Sequence, residues 1–564
     1  MHVKLTTSGG RQYLQLVESF RDDTGRVKKR TVATLGRADK LAGGLDSVIN
    51  GLLKASGRAP LNAAAPEVAF ESARALGDVW ALTELWKQLG FDRLRRVFRK
   101  TRHATDVEAL IRVMVLNRLC DPESKLGVLR WVQTVALPGV DVDAITHQQL
   151  LRSMDALMDH QAEVDGVIAQ LLRPLIDQDL SVVFYDLTTI RSEGLTALPG
   201  DVRHFGIAKE GLIARQFMLG VVQTAEGMPI CHEVFDGNTA ETKTLLPTLR
   251  KVLERFPAIQ RLILVADRGL LSLDNLETLQ DIRLSNGQPL EFILAVPGRR
   301  YSEFVELLED FHDQRCAGAQ EEVVGELPWS GLRLVIAHDP VAAATQTQRR
   351  RDRIDALLAQ ADAWAGKLDG QEAGGIYRGR NLSDSGVKAR FFSAVREAHL
   401  SKIIKVDLPG DLFSFEIDEG ARALAEMMDG KLLLVTNATD LSAREVIARY
   451  KSLADIERGF KVLKSEIEIG PVHHRLPERI RAHAAICFIA LILHRVLRAR
   501  LRQANSGLSP ERVLEQLRRI QHHQVRLNGS TPVTGVSTIT PEQGSALNAI
   551  GVKKTIAPKQ LTLL

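Results

Sequence analysis

The chain has 564 residues, 45% of them hydrophobic and 25% charged, with a net charge of +5. That length is too great for one hydrophobic core and predicts three or four globular domains, while the slightly basic balance favours a polyanionic partner. Four scattered cysteines without a C-x-x-C pair exclude a disulfide framework and a thiolate zinc site and fit a reducing cytosol.

The opening "MHVKLTTSGG" is not a signal peptide, and the alternating residues 1–40, broken by "SGG" and "DDTGR", predict a β-hairpin unit over 1–56. The proline-bearing, small-residue stretch 57–67 reads as a linker. Apolar residues at 3–4 spacing, as in "ATDVEALIRVMVLNRL", predict a helical region over 68–178. Its run Arg93 to Arg102 packs six basic residues into ten, so DNA binding is expected of this region.

From 179 to 297 the pattern changes to short apolar runs: "VVFYDL", "RQFMLGVV", "PICHEVF", "RLILVAD" and "FILAVP", with a helical stretch after the third. This predicts a β-β-β-α-β order, with the helix beginning near Thr239, capped by Asn238 or Glu241. Residues 298–430 do not continue the alternation and read as an inserted subdomain. A further strand, "KLLLVTN", and one long helix opening at Ser442 follow within 431–495. Ser442 with Glu445 three residues on is a capping-box pattern. The region 496–564 closes the chain, and Arg475 to Arg526 holds eleven arginines against three acids. The adjacent pairs His473/His474 and His522/His523 would splay apart on a helix and make poor metal ligands. The most apolar run, Ala484 to Leu493, is shorter than the ~18 residues of a membrane helix. A cytoplasmic protein with no membrane partner is expected.

Two strands each run into a carboxylate: "SVVFYDLTTI" into Asp186 and "RLILVADRGLLS" into Asp267. If these strands are neighbours, the two acids emerge together, which is costly unless a cation lies between them. Mg²⁺ or Mn²⁺ suits carboxylate-only ligation, and two such ions promote phosphoryl transfer. On the long helix, Tyr450, Glu457 and Lys464 are spaced seven apart and share one face, with Leu453 and Lys461 close to that stripe. A solvated helix face would show the same spacing.

The stretch "YKSLADIERGFKVLK" resembles the Y-x2-R-x3-E-x6-K signature of bacterial insertion-sequence transposases of the DDE class, with Leu453 standing where the pattern has Arg. "FYDLTT", "GNTAET" and "ADRGLLS" are similar to the preceding blocks of those enzymes. The N-terminal hairpin and "NRLCDPESKLG" (117–127) are similar to the insertion-sequence 1634 group in particular. The resemblance runs from the hairpin to about Ile492. It implies an α/β chain with an RNase H-like catalytic core interrupted by the inserted subdomain. It also implies a metal-binding catalytic triad of Asp186, Asp267 and Glu457 using two Mg²⁺ or Mn²⁺ ions. Tyr450, Lys464, Lys461 and Arg268 would contact double-stranded DNA at the element's terminal inverted repeats, with a homodimer assembled on the DNA. Two other readings compete. A haloacid-dehalogenase-type phosphatase would need a second Asp where Thr188 stands. A catalytically silent DNA-binding descendant is disfavoured because all three carboxylates are present.

Overall fold

The computed structural model describes every residue except 42–43, 59, 61–67, 100–104, 176–180, 195–197, 208–212, 268–272, 375–381, 528–530 and 553–564. Within its helices and strands, the side chains of 181, 207, 273–275, 454–458 and 527 also lie outside the description. The chain forms two compact units, Met1–Arg74 with Gln521–Thr538, and Ala75–Ile520 with Ile539–Thr555.

The first unit opens with three antiparallel strands, His2–Ser8, Arg11–Arg21 and Val27–Arg37, one more than a hairpin. Gly9 and Gly10, both at positive φ, make the first turn. Asp22 closes the second by accepting from the backbone N–H of Thr24 and Arg26 at 3.0 and 3.1 Å. A second sheet joins Val68–Ala75 to Gln521–Leu527 and Val533–Val536. Two expectations change here. Residues 68–75 are a strand, and the first helix of the following region starts at Gly77. His522 and His523 stand on a strand, not a helix.

The second unit is built on a nine-stranded sheet. Its strands are β1 (Ser181–Arg191), β2 (His204–Ile207), β3 (Ile213–Thr224), β4 (Pro229–Asp236), β5 (Leu262–Ala266), β6 (Glu291–Ala295), β7 (Val323–Trp329), β8 (Leu332–His338) and β9 (Lys431–Thr436). Their order is β7-β8-β9-β6-β5-β1-β3-β2, with β4 also paired to β3. β1, β5 and β6 are mutually parallel, whereas β1-β3-β4 and β6-β9-β8-β7 are antiparallel. Every residue of β5 is buried, which is why "LILVA" reads as an unbroken apolar run. Between β4 and β5 the helix runs Leu245–Arg255. Glu241–Lys243 before it forms only a 3₁₀ turn, so the helix starts six residues later than Thr239 and neither Asn238 nor Glu241 is its N-cap.

The span 298–430 divides in two. β7 and β8 extend the main sheet beside β9. The helices Pro340–Glu372 and Asp384–Glu397, with the short strands Ile404–Val406 and Phe415–Ile417, enclose a separate core around Ile354, Phe391 and Ile403.

Seven helices frame the sites below: α1 (Val107–Cys120), α2 (Lys125–Trp131), α3 (His147–Asp159), α4 (Ala443–Lys451), α5 (Leu453–Ser465), α6 (Pro477–Gln503) and α7 (Pro510–Arg518). α6 packs against α1 and α3, and α7 packs against Gly77–Leu89. The N-terminal helices and the C-terminal ones therefore share one core, although more than 300 residues (477 − 159 = 318 for the nearest pair) separate them in sequence. α6 is long and apolar enough to cross a membrane, yet 94% of its most apolar window is buried inside this unit. It is the central core helix of the unit. Several of the tail's arginines are spent in ion pairs within it: Arg479 with Asp155 at 2.7 Å and Arg518 with Asp78 at 2.9 Å.

Candidate active site

Along β1, Val182, Phe184 and Asp186 fall on one face by the alternation of a strand, and along β5 so do Ile263, Val265 and Asp267. Phe184, Ile263 and Val265 share one core cluster with Val446, Ile447 and Leu453, so this is the face covered by α4 and α5. The parallel register aligns Tyr185 with Ala266 as its last pair, and Asp186 and Asp267 are the residues that follow directly on the two neighbouring strands. Both are half-buried.

Asp186 is not where its strand ends. β1 continues to Arg191, still paired with β3, and the strand that ends is its parallel neighbour β5, at Ala266. The notch beside β1 thus opens at Asp186, and Asp267 is the first residue beyond the ladder. One Asp186 oxygen accepts from the Leu187 N–H at 2.7 Å. Asp267 Oδ1 accepts from the phenol hydroxyl of Tyr450, also at 2.7 Å, and Asp267 has no cationic partner among the described residues.

Tyr450 reaches this position because α4 is capped at its N-terminus and buried along its inner face. The capping box forms as expected, with Ser442 Oγ accepting from Glu445 N–H and the Glu445 carboxylate accepting from Ser442 N–H at 2.8 Å. Val446 and Ile447 then bury the inner face. The expected single helix is two: Ser452 turns the chain between α4 and α5, with φ −68° and ψ −11°. Tyr450 therefore lies on a different helix from Glu457 and Lys464, and the seven-residue spacing does not by itself align the three. α5, which carries Glu457, packs on β1. Gly459 permits the close approach, since a Cβ there would stand 2.7 Å from the buried Gln223 amide of β3. The Glu457 side chain and all of Arg268 lie outside the described residues. Lys461 is exposed and Lys464 half-buried on the same helix.

Leu453 explains the departure from the arginine pattern. It is 6% exposed and packs with Phe184 and Val446 in the core beneath the two aspartates. At its other end α5 is tied down by a triad that the sequence did not single out. The buried His494 Nε2 of α6 lies 2.9 Å from Glu466 and 2.8 Å from Glu511 of α7. Burial alone would lower the His494 pKa, but the two carboxylates outweigh it and raise the pKa above the usual histidine value. This is also the one group of His and carboxylate ligand atoms, among the described residues searched, close enough together to hold a metal ion.

Two neighbouring carboxylates, with no cation at Asp267 among the described residues, fit a divalent metal and oxygen chemistry. Comparison with known proteins agrees on the family. Residues 2–66 match the model described as "IS1634 family transposase, N-terminal domain", and residues 178–493 match the "Transposase DDE domain". No curated protein matches the chain significantly. Among solved structures, a cryo-EM structure of the piggyBac transposase synaptic complex with hairpin DNA aligns over 78% of this chain and 77% of its own. Its sequence identity is 8% and its TM-score 0.36.

Proposed function

Because the chain belongs to the insertion-sequence 1634 family of DDE transposases, we propose that Asp186, Asp267 and Glu457 are its catalytic and metal-binding triad. The single observation that carries this reading is that Asp186 and Asp267 directly follow the last register pair of two neighbouring parallel strands, whose apolar face packs against α4 and α5. The sub-order β4-β3-β1-β5-β6, antiparallel in its first three strands and parallel in its last three, supports an RNase H-like core.

When bound, two Mg²⁺ or Mn²⁺ ions would lower the pKa of the attacking water and neutralise charge on the leaving oxygen. The protein's own part is positional. β1 and β5 hold the two carboxylates in fixed register. Tyr450, by donating to Asp267 Oδ1, fixes that carboxylate's rotamer and leaves its other oxygen for ligation. Glu457 comes from the facing helix, so the site closes only when α5 is docked. Lys461 and Lys464 on that helix, together with Arg268 after β5, are placed in sequence to neutralise DNA phosphates at the terminal inverted repeats. The reaction is hydrolysis at the element's end, followed by in-line attack of the freed 3′-hydroxyl on target DNA, carried out by a homodimer in the cytoplasm. The test is cleavage of a duplex carrying the element's own end. Wild-type protein should cut it only with a divalent ion, and Asp186→Asn should bind without cutting. Cleavage by Asp186→Asn at the wild-type rate would refute the assignment.

A further inference from the structure

The motif "NRLCDPESKLG" is not used by the chemistry above, yet it builds one wall of a separate cavity. This cavity, of about 570 Å³, lies between the α1–α2 turn, the start of α3, the loop 468–476 and the first turns of α6. Its walls are fixed by buried cations used as braces. Arg118 donates to the carbonyls of Ile467 and Glu468 at 3.4 and 3.2 Å. The fully buried Arg203, paired with Asp201, donates to the carbonyl of Arg475 at 3.3 Å. Asn117 Oδ1 accepts from the Glu123 N–H at 3.2 Å and shapes the turn that presents Lys125.

Lys125 is the anomaly. It is 5% exposed, lines the cavity, and has no hydrogen-bond or ion-pair partner among the described residues. Burying an ammonium without a partner is unfavourable, because no opposite charge or acceptor replaces its water. Burial, then the Arg118 charge, push its pKa down to about 7. The other cations on the lining are Arg118, which donates to the Ile467 and Glu468 carbonyls, Arg475, exposed and unpaired among the described residues, and Arg479, whose charge is shared with Asp155. Glu123 and Glu468 also line it, but neither pairs with Lys125. His474, half-buried, and His483, buried, have their pKa values lowered by burial and then by the charge of Lys125.

We infer that this cavity is a binding site for a nucleotide phosphate, with Lys125 as the group that the phosphate satisfies and Arg475 as its second cation. A lone phosphate would leave most of 570 Å³ empty, whereas pockets of about 300–1,000 Å³ enclose molecules of nucleotide size. The phosphate has two possible sources, a strand of bound DNA or a free nucleotide. The DNA source rests on the function proposed above; the cavity itself does not.

The test is amine acylation of the full-length protein at pH 7.5, read residue by residue by mass spectrometry. With a pKa of about 7, Lys125 should acylate faster than the exposed Lys461, and ligand should slow it at least fivefold. Protection by end DNA but not by a millimolar deoxynucleoside monophosphate identifies a DNA strand. Protection by the monophosphate alone identifies the free nucleotide. Protection by neither, or no labelling of Lys125 without ligand, overturns the inference. For the DNA arm, Lys125→Met should lower the slope of log affinity against log salt by about 0.9, and Lys125→Arg should restore it. An unchanged slope in a Lys125→Met protein with wild-type circular dichroism overturns that arm. Protection of Lys125 in a wild-type protein that never cuts DNA would refute the proposed function and leave this site standing. Cutting without protection would do the reverse.

Discussion

The phenol of Tyr450 donates to Asp267 across 183 residues of chain, linking the first helix after β9 to the residue that follows β5. A tyrosine in this place holds a carboxylate in one orientation without neutralising it, which a lysine or arginine would do.

Removing that hydroxyl should therefore slow chemistry more than it weakens binding. A hydrogen bond to a charged group contributes about 1.5–3 kcal/mol. Tyr450→Phe should accordingly cleave end DNA about 10- to 100-fold more slowly in single-turnover assays, with DNA affinity within about twofold of wild type. If affinity fell instead and the single-turnover rate held, Tyr450 would be a DNA contact rather than an orienter of Asp267.

Asp186 and Asp267 repel one another unless a cation is present, so their effect on stability should depend on divalent ions. In chelator, Asp267→Asn should melt no lower than wild type. Wild-type protein should gain stability on adding Mn²⁺ as mass action requires, and the variant should lose most of that gain. An equal Mn²⁺-induced shift in both proteins would mean that the ion binds elsewhere, the Glu466–His494–Glu511 triad being the first alternative to check.

Placing at position 453 the arginine of the signature that this stretch resembles should be harmful in this chain. Leu453 is enclosed by Phe184, Val446 and Ile447, so Leu453→Arg forces a charge into apolar packing or displaces the start of α5. A loss of roughly 3–5 kcal/mol is expected, as for other unpaired buried charges. Chemical denaturation would read it. A loss below about 1 kcal/mol would show that the side chain escapes to solvent and that the departure from the signature is neutral.

The histidine triad predicts a pH dependence for the anchoring of α5. The raised folded-state pKa of His494 means that its contribution is complete below the unfolded value near 6.5 and is lost as pH rises through the folded pKa. For Glu511, burial acts upward, but the hydrogen bonds with His494, Glu466 and Ser509 together outweigh it and hold the carboxylate low. Its contribution is therefore present above about pH 4.3 and is lost as pH falls through its depressed value. The triad is strongest between these limits. His494→Gln should lower the melting temperature more at pH 6 than at pH 9, and equal losses at both would contradict the assignment.

Much of the site was legible because its signals are local. An apolar run stopped by one acid, twice, marks two interior strands and the place where their ladder fails. Ser442 and Glu445 announce the start of α4 from four residues alone. What stayed hidden depends on partners far away in sequence. Nothing near Ser452 signals a break, because it maintains near-helical angles while α4 and α5 settle on different parts of the sheet. Leu453 looks like a lost DNA contact until Phe184 is seen beneath it. The apolar Ala484–Leu493 sits in a helix of 27 residues whose flanking arginines hide its length from a hydropathy reading. His473 and His474 read as helix neighbours from the sequence, yet they stand on the loop that lines the Lys125 cavity, where splaying is no handicap.

The position of β9 between β6 and β8 also sets a timetable for synthesis. Asp267 precedes Glu457 by 190 residues (457 − 267), and at about 5–20 residues per second the ribosome needs about 10–40 s to cover that distance. During that interval the two aspartates already exist on a growing chain, while the edge of β6 still awaits its neighbour and the helix bearing Glu457 has not been made. A chain cut short before residue 457 therefore carries two of the three proposed catalytic carboxylates and should be unable to cut. On the proposed assignment, cleavage competence would be acquired only once the helix bearing Glu457 has been made.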